Sequence, residues 1–390
     1  MVMASRSVYL DHAATTRPIP EVAEAMRPYL SERYGNPSAL YGIGRESRAA
    51  VEEARGKVAA LIGALPEEIY FTSGGSEADN MALTGSMLAN ATRGSHLITA
   101  SIEHHAVLET SEFLSKQGCE VTVLGVDGDG VVDPDDVRRA IRPDTVLVSV
   151  MHANNEVGTV EPLAEIASVC GDAGVCLHTD AVQTVGNIPV GVDGLGVDML
   201  SLSGHKLYGP KGVGAIYIRK GTRIAKLIHG GEQERGMRAG TENIGGIVGL
   251  GVAAEVASRE LESRAESIAA LRDRLVEGLM GSIDDVFLNG HAARRLPNNA
   301  HLRILHIEGE AICLQLDTVG ICASTGSACS SEALEPSHVL VAMGVPAIEV
   351  HGSVRFSLGR GTTEEDVDYV IEKLPPIVAR LRSMSPLARK

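Results

Sequence analysis

The sequence lacks the features that mark several large classes of protein. Its 6 cysteines show no C-x-x-C spacing and are too few for a disulfide scaffold, which favours a reduced setting over a zinc module or a secreted domain. No run of five like charges and no low-complexity tract occurs, so a disordered interaction tail is not expected. The most apolar window, residues 244–257, is too short to span a membrane and contains Glu255.

Basic side chains are also in deficit. Lysine and arginine number 35 against 50 acidic residues, and the net charge of −15 argues against a nucleic-acid or anionic-membrane partner. The opening residues, MVMASRSVYLDHAATT, contain no apolar stretch long enough for a signal peptide. We therefore expect a cytoplasmic protein without nucleic-acid or membrane partners.

The hydrophobic pattern predicts an α/β fold in two parts. Over the first two thirds, apolar runs that end in small or polar residues alternate with helical periodicity, which predicts a mostly parallel sheet covered on both faces. We assign this large domain to residues 15–260. After a helical pattern at 251–279 come strands at 302–307, 321–324 and 353–358 and helices at 310–317 and 364–374, the last with a capping box at Thr362 and Glu365. These predict a smaller α+β domain made of residues 1–14 and 261–390.

A lysine directly after an apolar strand is the strongest signal of a site. In VDMLSLSGHKLYGPKG (197–212) the strand stops at Ser203, and Lys206 follows. Ligands of open α/β sheets bind beyond the carboxyl ends of the strands, where a deprotonated lysine can form a Schiff base. Asp180 ends the preceding strand and can hold the proton on the ring nitrogen of a pyridoxal cofactor. The structural alternatives are a counter-ion role for Lys206 and a helix N-cap role for Asp180.

Three other strand ends carry polar groups. Gly75 and Ser76, in TSGGSEADN, precede a helix whose N-terminus and backbone N–H groups would attract a phosphate. His104 can stack on a ring and move protons, and Asn155 can hydrogen-bond a phenolate oxygen or a substrate carboxylate. A plain glycine turn, a surface histidine and an asparagine turn are the alternatives.

Two residues of the C-terminal third complete the set. Cys329 lies in STGSACSS, a stretch poor in apolar cover, whereas Cys313 and Cys176 lie among apolar residues typical of core thiols. Because access and thiolate fraction govern cysteine reactivity, Cys329 is the predicted nucleophile. Arg355 alternates with apolar residues in SVRFSLG and can bind a carboxylate with two hydrogen bonds, or form a structural salt bridge.

Together these segments resemble the NifS/IscS group of cysteine desulfurases, which are aspartate-aminotransferase-like (fold type I) pyridoxal-phosphate enzymes, and they lean toward the NifS-like members. The matching stretches occur in order from about residue 8 to near the C-terminus. They include YLDHAATT (9–16), FTSGGSEADN (71–80), HANNEVGT (152–159), HTDAVQ (178–183), SLSGHKLYGPKG (201–212), ERGMRAGTEN (234–243), STGSACSS (324–331) and VRFSLGR (354–360).

The resemblance implies a role for each candidate residue. Lys206 would carry pyridoxal 5′-phosphate, Asp180 would pair with its ring nitrogen, and His104 would stack on the ring and assist proton transfer. Gln183 and Asn155 would contact the phenolic oxygen, and Arg355 together with Asn155 would bind the carboxylate of L-cysteine. The residues expected at the phosphate are Gly75, Ser76, Ser203, His205 and, across the interface of a homodimer, Thr241.

The implied reaction removes sulfur from L-cysteine, gives L-alanine and leaves a persulfide on Cys329, from which an iron–sulfur scaffold or another acceptor protein takes the sulfur. No intrinsic metal is expected, although Cys329 could ligate an iron–sulfur cluster transiently. Thr325 stands where the family usually has serine, and the longer tail by which IscS-type members contact their scaffold is not expected, which leaves the acceptor open. The alternatives are an aminotransferase or selenocysteine lyase of the same fold, and a non-catalytic sulfur or iron–sulfur carrier.

Overall fold

The computed structural model describes residues 6–326 and 336–386, and its strands form three sheets in that part of the chain. In chain order the strands are β1 (Val8–Tyr9), β2 (Ile69–Thr72), β3 (His96–Ala100), β4 (Glu120–Leu124), β5 (Thr145–Ser149), β6 (Cys176–Asp180), β7 (Met199–Ser203), β8 (Gly214–Ile218), β9 (Val286–Leu288), β10 (Asn299–Ile304), β11 (Ile321–Cys322) and β12 (Ser353–Ser357).

The largest sheet has the strand order β2-β8-β7-β6-β5-β3-β4. The pairs from β7 to β4 are parallel, whereas β8 is antiparallel to both of its neighbours, so β2 runs in the same direction as the parallel strands. Most of the central strands are buried along their whole length, as expected for a parallel sheet covered on two faces. The α/β fold predicted from the sequence is confirmed, and the carboxyl ends of six strands meet at one edge.

Helices cover the sheets and connect their strands. They are α1 (Pro20–Met26), α2 (Gly42–Ile62), α3 (Gly75–Ala89), α4 (His105–Lys116), α5 (Pro134–Ala140), α6 (Leu163–Ala173), α7 (Val192–Leu195), α8 (Ile244–Ser282), α9 (Gly309–Thr318), α10 (His338–Ala342), α11 (Ala347–Val350) and α12 (Glu364–Met384). None of the helices in the described residues is long and apolar enough to cross a membrane.

The long helix α8 links two hydrophobic cores. Its first half, including Ile247 and Leu250, packs into the core of the large sheet, while Ile268, Leu275 and Leu279 belong to a second core. Gly251 allows the close approach of α2, because a Cβ atom there would lie 2.7 Å from the Cα atom of Ala54. The second half of α8 thus faces the second core with Ile268, Leu275 and Leu279.

The second core is built on β10, β12 and the N-terminal segment. Strand β10 pairs antiparallel with β12 and β9, and β1 pairs parallel with β11. Val8 and Leu10 are buried in this core although the rest of it comes from residues 268–378. Residues 339–350 pack instead on the first core. We propose the division into domains at 15–260 and at 1–14 with 261–390, and the two cores support it.

Three predicted details of the second part were wrong. Strand β10 is Asn299–Ile304 rather than 302–307, because the chain turns at His306, whose φ is 72°. Helix α12 continues past Pro375 and Pro376 to Met384, since burial of Val378 outweighs the local preference to stop before proline. The capping box is formed by Thr363 and Asp366, one residue later than predicted. The Thr362 hydroxyl accepts instead from the backbone N–H of Gly359.

The buried ion pair between Arg55 and Glu234 gives a test of this packing. Both side chains are 3% exposed, their two hydrogen bonds are 2.8 and 2.9 Å long, and Glu234 also accepts from the N–H of Phe71. We expect Arg55→Met to lower the free energy of unfolding by about 3–5 kcal/mol, because the Glu234 carboxylate stays buried without its partner.

Urea unfolding measures this change, and Glu52 supplies the control. Glu52 contacts the same guanidinium group but is half exposed, so Glu52→Gln should cost less than about 1 kcal/mol. Equal losses in the two variants would contradict the assignment of the stabilising interaction to Glu234.

Candidate functional site

A cavity of about 360 Å³ lies at the edge where the parallel strands end. Most of the residues singled out from the sequence line it, although they come from segments up to 280 positions apart. Its walls are formed by Ala13, Ala14, Gly75, Ser76, Asp79, His104, Met151, Asn155, Asp180, Val182, Gln183, Ser203, His205, Lys206, Gly326 and Arg355. Of the predicted site residues that it describes, the structure therefore brings together all except Thr241.

Lys206 is held against the N-terminal segment. Its Nζ atom donates hydrogen bonds to the carbonyl oxygens of Ala13 and of Ala14, the latter at 2.8 Å. The amide of Gln183 donates to Ala13 as well, and His205 Nδ1 lies 3.1 Å from the Thr15 hydroxyl. The segment YLDHAATT thus forms one wall of the cavity through its backbone, which the spacing of polar side chains alone could not indicate.

Asp180 and His104 both line the cavity, and the charge of each affects the pKa of the other. Burial raises the pKa of Asp180, while the positive potential of His104 and Lys206 opposes this increase. Burial lowers the pKa of His104, which favours its neutral form. Because His104 Nδ1 accepts from the N–H of Ala106, the ring proton of the neutral form lies on Nε2. His104 is therefore both the N-cap of α4 and a polar group in the cavity.

The start of α3 forms another part of the cavity wall. No side chain caps this helix, so the N–H groups of its first turn have no partner within the helix. Ser76 lies in that turn, and Ser203 and His205 approach it from the end of β7. A Cβ atom at Gly75 would lie 2.6 Å from Cγ2 of Val182, so only glycine allows this approach. Hydroxyls and N–H groups at a helix N-terminus suit an anion.

Arg355 joins three separate segments at the wall of the cavity. Its Nη2 atom forms a 2.9 Å ion pair with Asp11, and its Nη1 atom donates to the carbonyl oxygens of Asn155 (2.8 Å) and Gly326 (3.4 Å). Its buried Nε atom has no hydrogen-bond partner among the residues that the structure describes. Arg355 thus makes the structural salt bridge considered from the sequence, and it also lines the cavity.

Thr241 does not line this cavity, and the cysteines need separate comment. Thr241 lines a separate pocket of about 210 Å³, together with Ser73 and Glu234. Cys329 lies outside the described residues, so its predicted role stays a prediction. Cys313 and Cys176 are only partly buried, less than the core thiols expected, but burial raises the pKa of Cys313 to about 12.

One buried carboxyl group that lines the cavity, that of Asp79, was missed from the sequence. Burial and the charge of Asp180 raise the pKa of Asp79, whose side chain also hydrogen-bonds the Ser201 hydroxyl. Ser201 lies 3.0 Å from His178 Nε2, and His178 Nδ1 lies 2.9 Å from the Ser149 hydroxyl. Asp79 stands in the TSGGSEADN stretch, which was considered only for Gly75 and Ser76, and no spacing rule connects it with residues 100 positions away.

The donor set fits pyridoxal 5′-phosphate. Lys206 supplies an amine, Asp180 supplies a buried carboxylate for a protonated ring nitrogen, and the uncapped start of α3 supplies N–H groups for a phosphate. These groups line one cavity, as a single ligand with an amine-reactive group, a ring and a phosphate requires.

Comparison with known proteins identifies the family. The family model described as "Aminotransferase class-V" matches residues 8–370. A cysteine desulfurase IscS from Dictyoglomus turgidum is 55% identical over 381 residues, which cover 98% of this chain and 97% of that protein. A cysteine desulfurase IscS from Methanosarcina thermophila is 54% identical over 386 residues, covering 99% and 95%.

Solved structures give the same result. A NifS-like protein superposes with a TM-score of 0.91 at 41% identity, over 96% of this chain and all of that one. The structure described as SspA in complex with cysteine has a TM-score of 0.81 at 37% identity, covering 90% of this chain and 99% of the other. The chain therefore belongs to the class-V aminotransferase family, in its IscS- and NifS-like group of cysteine desulfurases.

The buried His178 predicts a specific pH dependence of stability. Burial lowers its pKa from 6.5 to about 3, so the folded chain binds fewer protons than the unfolded chain between these values. Stability should therefore fall as the pH decreases below about 6.5, by roughly 1.4 kcal/mol per pH unit for this one residue.

His178→Gln removes this titration and should lose about 2 kcal/mol less than the wild type between pH 7 and pH 5. Urea unfolding at the two pH values measures the difference, and the other buried histidines cancel in the comparison. Identical pH dependences would show that His178 is already protonated in the folded state or remains accessible to solvent.

Proposed function

We propose that this chain is a pyridoxal-phosphate-dependent cysteine desulfurase, which transfers the sulfur of L-cysteine to Cys329 and releases L-alanine. The observation that carries the proposal is the meeting of Lys206, Asp180, His104 and Arg355 in one cavity of a chain that is 55% identical to a cysteine desulfurase. A lysine amine, a ring-nitrogen carboxylate, a neutral imidazole and a carboxylate-binding guanidinium are the groups that this reaction needs.

Each group has a task that its surroundings support. Lys206 would hold the cofactor and, once the substrate has taken its place, remove the proton from the substrate Cα atom. Asp180 would keep the ring nitrogen protonated, Gln183 and Asn155 would contact the phenolic oxygen, and the start of α3 with Ser203 and His205 would hold the phosphate. When bound, the cofactor draws electrons from Cα and weakens the bond between Cβ and sulfur.

Sulfur transfer is assigned to Cys329. Its thiolate would attack the substrate sulfur, so that a sulfur–sulfur bond forms and the bond from sulfur to Cβ breaks. The electron pair of the broken bond stays on the substrate carbon, which takes up a proton and leaves as alanine. Gly326, which lines the cavity, precedes Cys329 in the sequence by only three residues.

We also propose the setting of this reaction. The enzyme would act in the cytoplasm as a homodimer in which Thr241 reaches the cofactor phosphate of the partner subunit. An iron–sulfur scaffold or another acceptor protein would take the persulfide sulfur, and the net charge of −15 supports the absence of a nucleic-acid partner.

The decisive experiment follows alanine and sulfide formation from L-cysteine in the presence of a thiol reductant. We expect the wild type to form both, and Cys329→Ala to keep the visible absorption of the bound cofactor while forming neither. Cys322→Ala is the matched control, since this thiol is partly buried with a raised pKa, and it should turn over like the wild type. Full turnover by Cys329→Ala would favour a lyase or transaminase instead.

Arg355→Lys tests the binding of the substrate carboxylate. Lysine keeps the charge but cannot form two parallel hydrogen bonds, so KM for L-cysteine should rise by about 10-fold or more while kcat changes less. Steady-state kinetics measures both parameters, and the cofactor spectrum serves as the control for folding. A loss of kcat alone would assign Arg355 to the chemical step rather than to substrate binding.

A further inference from the structure

Two described residues on either side of Cys329 meet at one carboxylate. The Ser337 hydroxyl donates a 2.5 Å hydrogen bond to Oε2 of Glu156. On the other side, a Cβ atom placed on Gly326 would lie 3.6 Å from the same oxygen and 3.6 Å from Cβ of Glu156. Residues 327–335, which include Cys329, connect these two points. Glu156 therefore hydrogen-bonds the chain after the predicted nucleophile and lies close to Gly326 before it.

Glu156 is itself fixed at the edge of the cavity. It is 2% exposed, its N–H donates to Asn154 Oδ1 at 2.8 Å, and its carbonyl oxygen accepts from Asn299 Nδ2 at 2.9 Å. It directly follows Asn155, which lines the cavity and accepts a hydrogen bond from Arg355. A rigid loop of the first core thus presents the Glu156 carboxylate to the segment on which sulfur transfer depends.

Further hydrogen bonds hold the chain at Gly326 and at Ser337. Gly326 is also held by Arg355, and the strand of Arg355 pairs with Ser324 through two backbone hydrogen bonds. Ser337 is the N-cap of α10, where its oxygen accepts from the N–H of Leu340 at 3.2 Å. Capping uses only the oxygen of the hydroxyl, so the proton donated to Glu156 is an additional contact that the helix does not require.

We propose that Glu156 is a positioning residue for sulfur transfer, which holds the chain after Cys329 through Ser337, close to the point where Arg355 holds the chain before it at Gly326. This inference rests on the proposed function. Fixing the chain on both sides of Cys329 reduces the conformations from which the thiolate must find the substrate sulfur. A misplacement of about 1 Å can cost about 100-fold in rate, so the loss of this contact should slow the transfer step and leave the binding of cofactor and L-cysteine intact.

The test is a single-turnover measurement on the cofactor-loaded enzyme. Persulfide on Cys329 is quantified by rapid quenching, alkylation and mass spectrometry, and substrate binding is followed by the change in the cofactor spectrum. We expect Glu156→Ala to slow persulfide formation by about 10- to 100-fold. The dissociation constant for L-cysteine should change by less than about 2-fold, because Glu156 is not among the residues that line the cavity. Glu156→Gln, whose amide oxygen can still accept from Ser337, should restore most of the rate.

A double-mutant cycle separates positioning from stability. If Ser337 and Glu156 act through one hydrogen bond, Ser337→Ala should slow the transfer as well, and the double variant should be no slower than Glu156→Ala. Thr363→Ala is the matched control, since it removes an N-cap hydroxyl from α12, which is remote from the cavity, and it should leave the transfer rate unchanged.

The outcomes are distinguishable. Persulfide formation by Glu156→Ala at the wild-type rate, or independent effects of the two single variants, would overturn the inference. An equal defect in Thr363→Ala would do the same, because it would assign the loss to general destabilisation. If the wild type itself forms no persulfide on Cys329, the proposed function fails rather than the role of Glu156.

Discussion

The contacts of Arg355 connect the parts of the chain on which the cavity depends. Its guanidinium group binds Asp11 of the N-terminal segment, the carbonyl oxygen of Asn155 in the first core, and that of Gly326. Strand β12, which carries Arg355, is buried in the second core. Because a guanidinium group has five donors in a rigid plane, one residue can hold three segments at fixed angles. Arg355 thus links cavity walls that lie on the two cores.

Burial favours the uncharged form of several ionisable groups in the large sheet and its cavity, and Asp180 is the exception. Burial raises the pKa of Asp79 and of Glu103 and lowers that of His178, so these groups favour their uncharged forms. At Asp180 the nearby His104 and Lys206 oppose the effect of burial, whereas no cation opposes it at Asp79. Two buried carboxyl groups close together cannot both be charged at low cost, and the surroundings favour the charge on Asp180. The negative charge of this pair thus lies on Asp180, at the wall of the cavity.

The sequence was sufficient to predict the large sheet and most of the cavity. Apolar strands that end in a single polar residue are a local signal, and parallel strands bring such ends to one edge, so Asp180 and Lys206 could be paired without coordinates. The backbone carbonyls of Ala13 and Ala14 carry no signal in residue type. Asp79 is linked to His178 only through the tertiary fold. The predicted helix 364–374 also ended too early, because packing against the second core outweighs the local preference of a helix to end before Pro375.

The residues proposed to bind the cofactor and those proposed to orient the substrate lie on different parts of the fold. Groups for the cofactor, such as Asp180, His205 and Lys206, stand on strand ends of one rigid sheet, so their spacing is fixed by the sheet itself. Arg355 and Gly326, by contrast, reach the cavity from the second core. A change in the packing of the two cores would leave the first group intact and move the second. Cofactor binding should therefore be robust to such changes, while substrate orientation depends on the contacts that cross between the cores at Arg355.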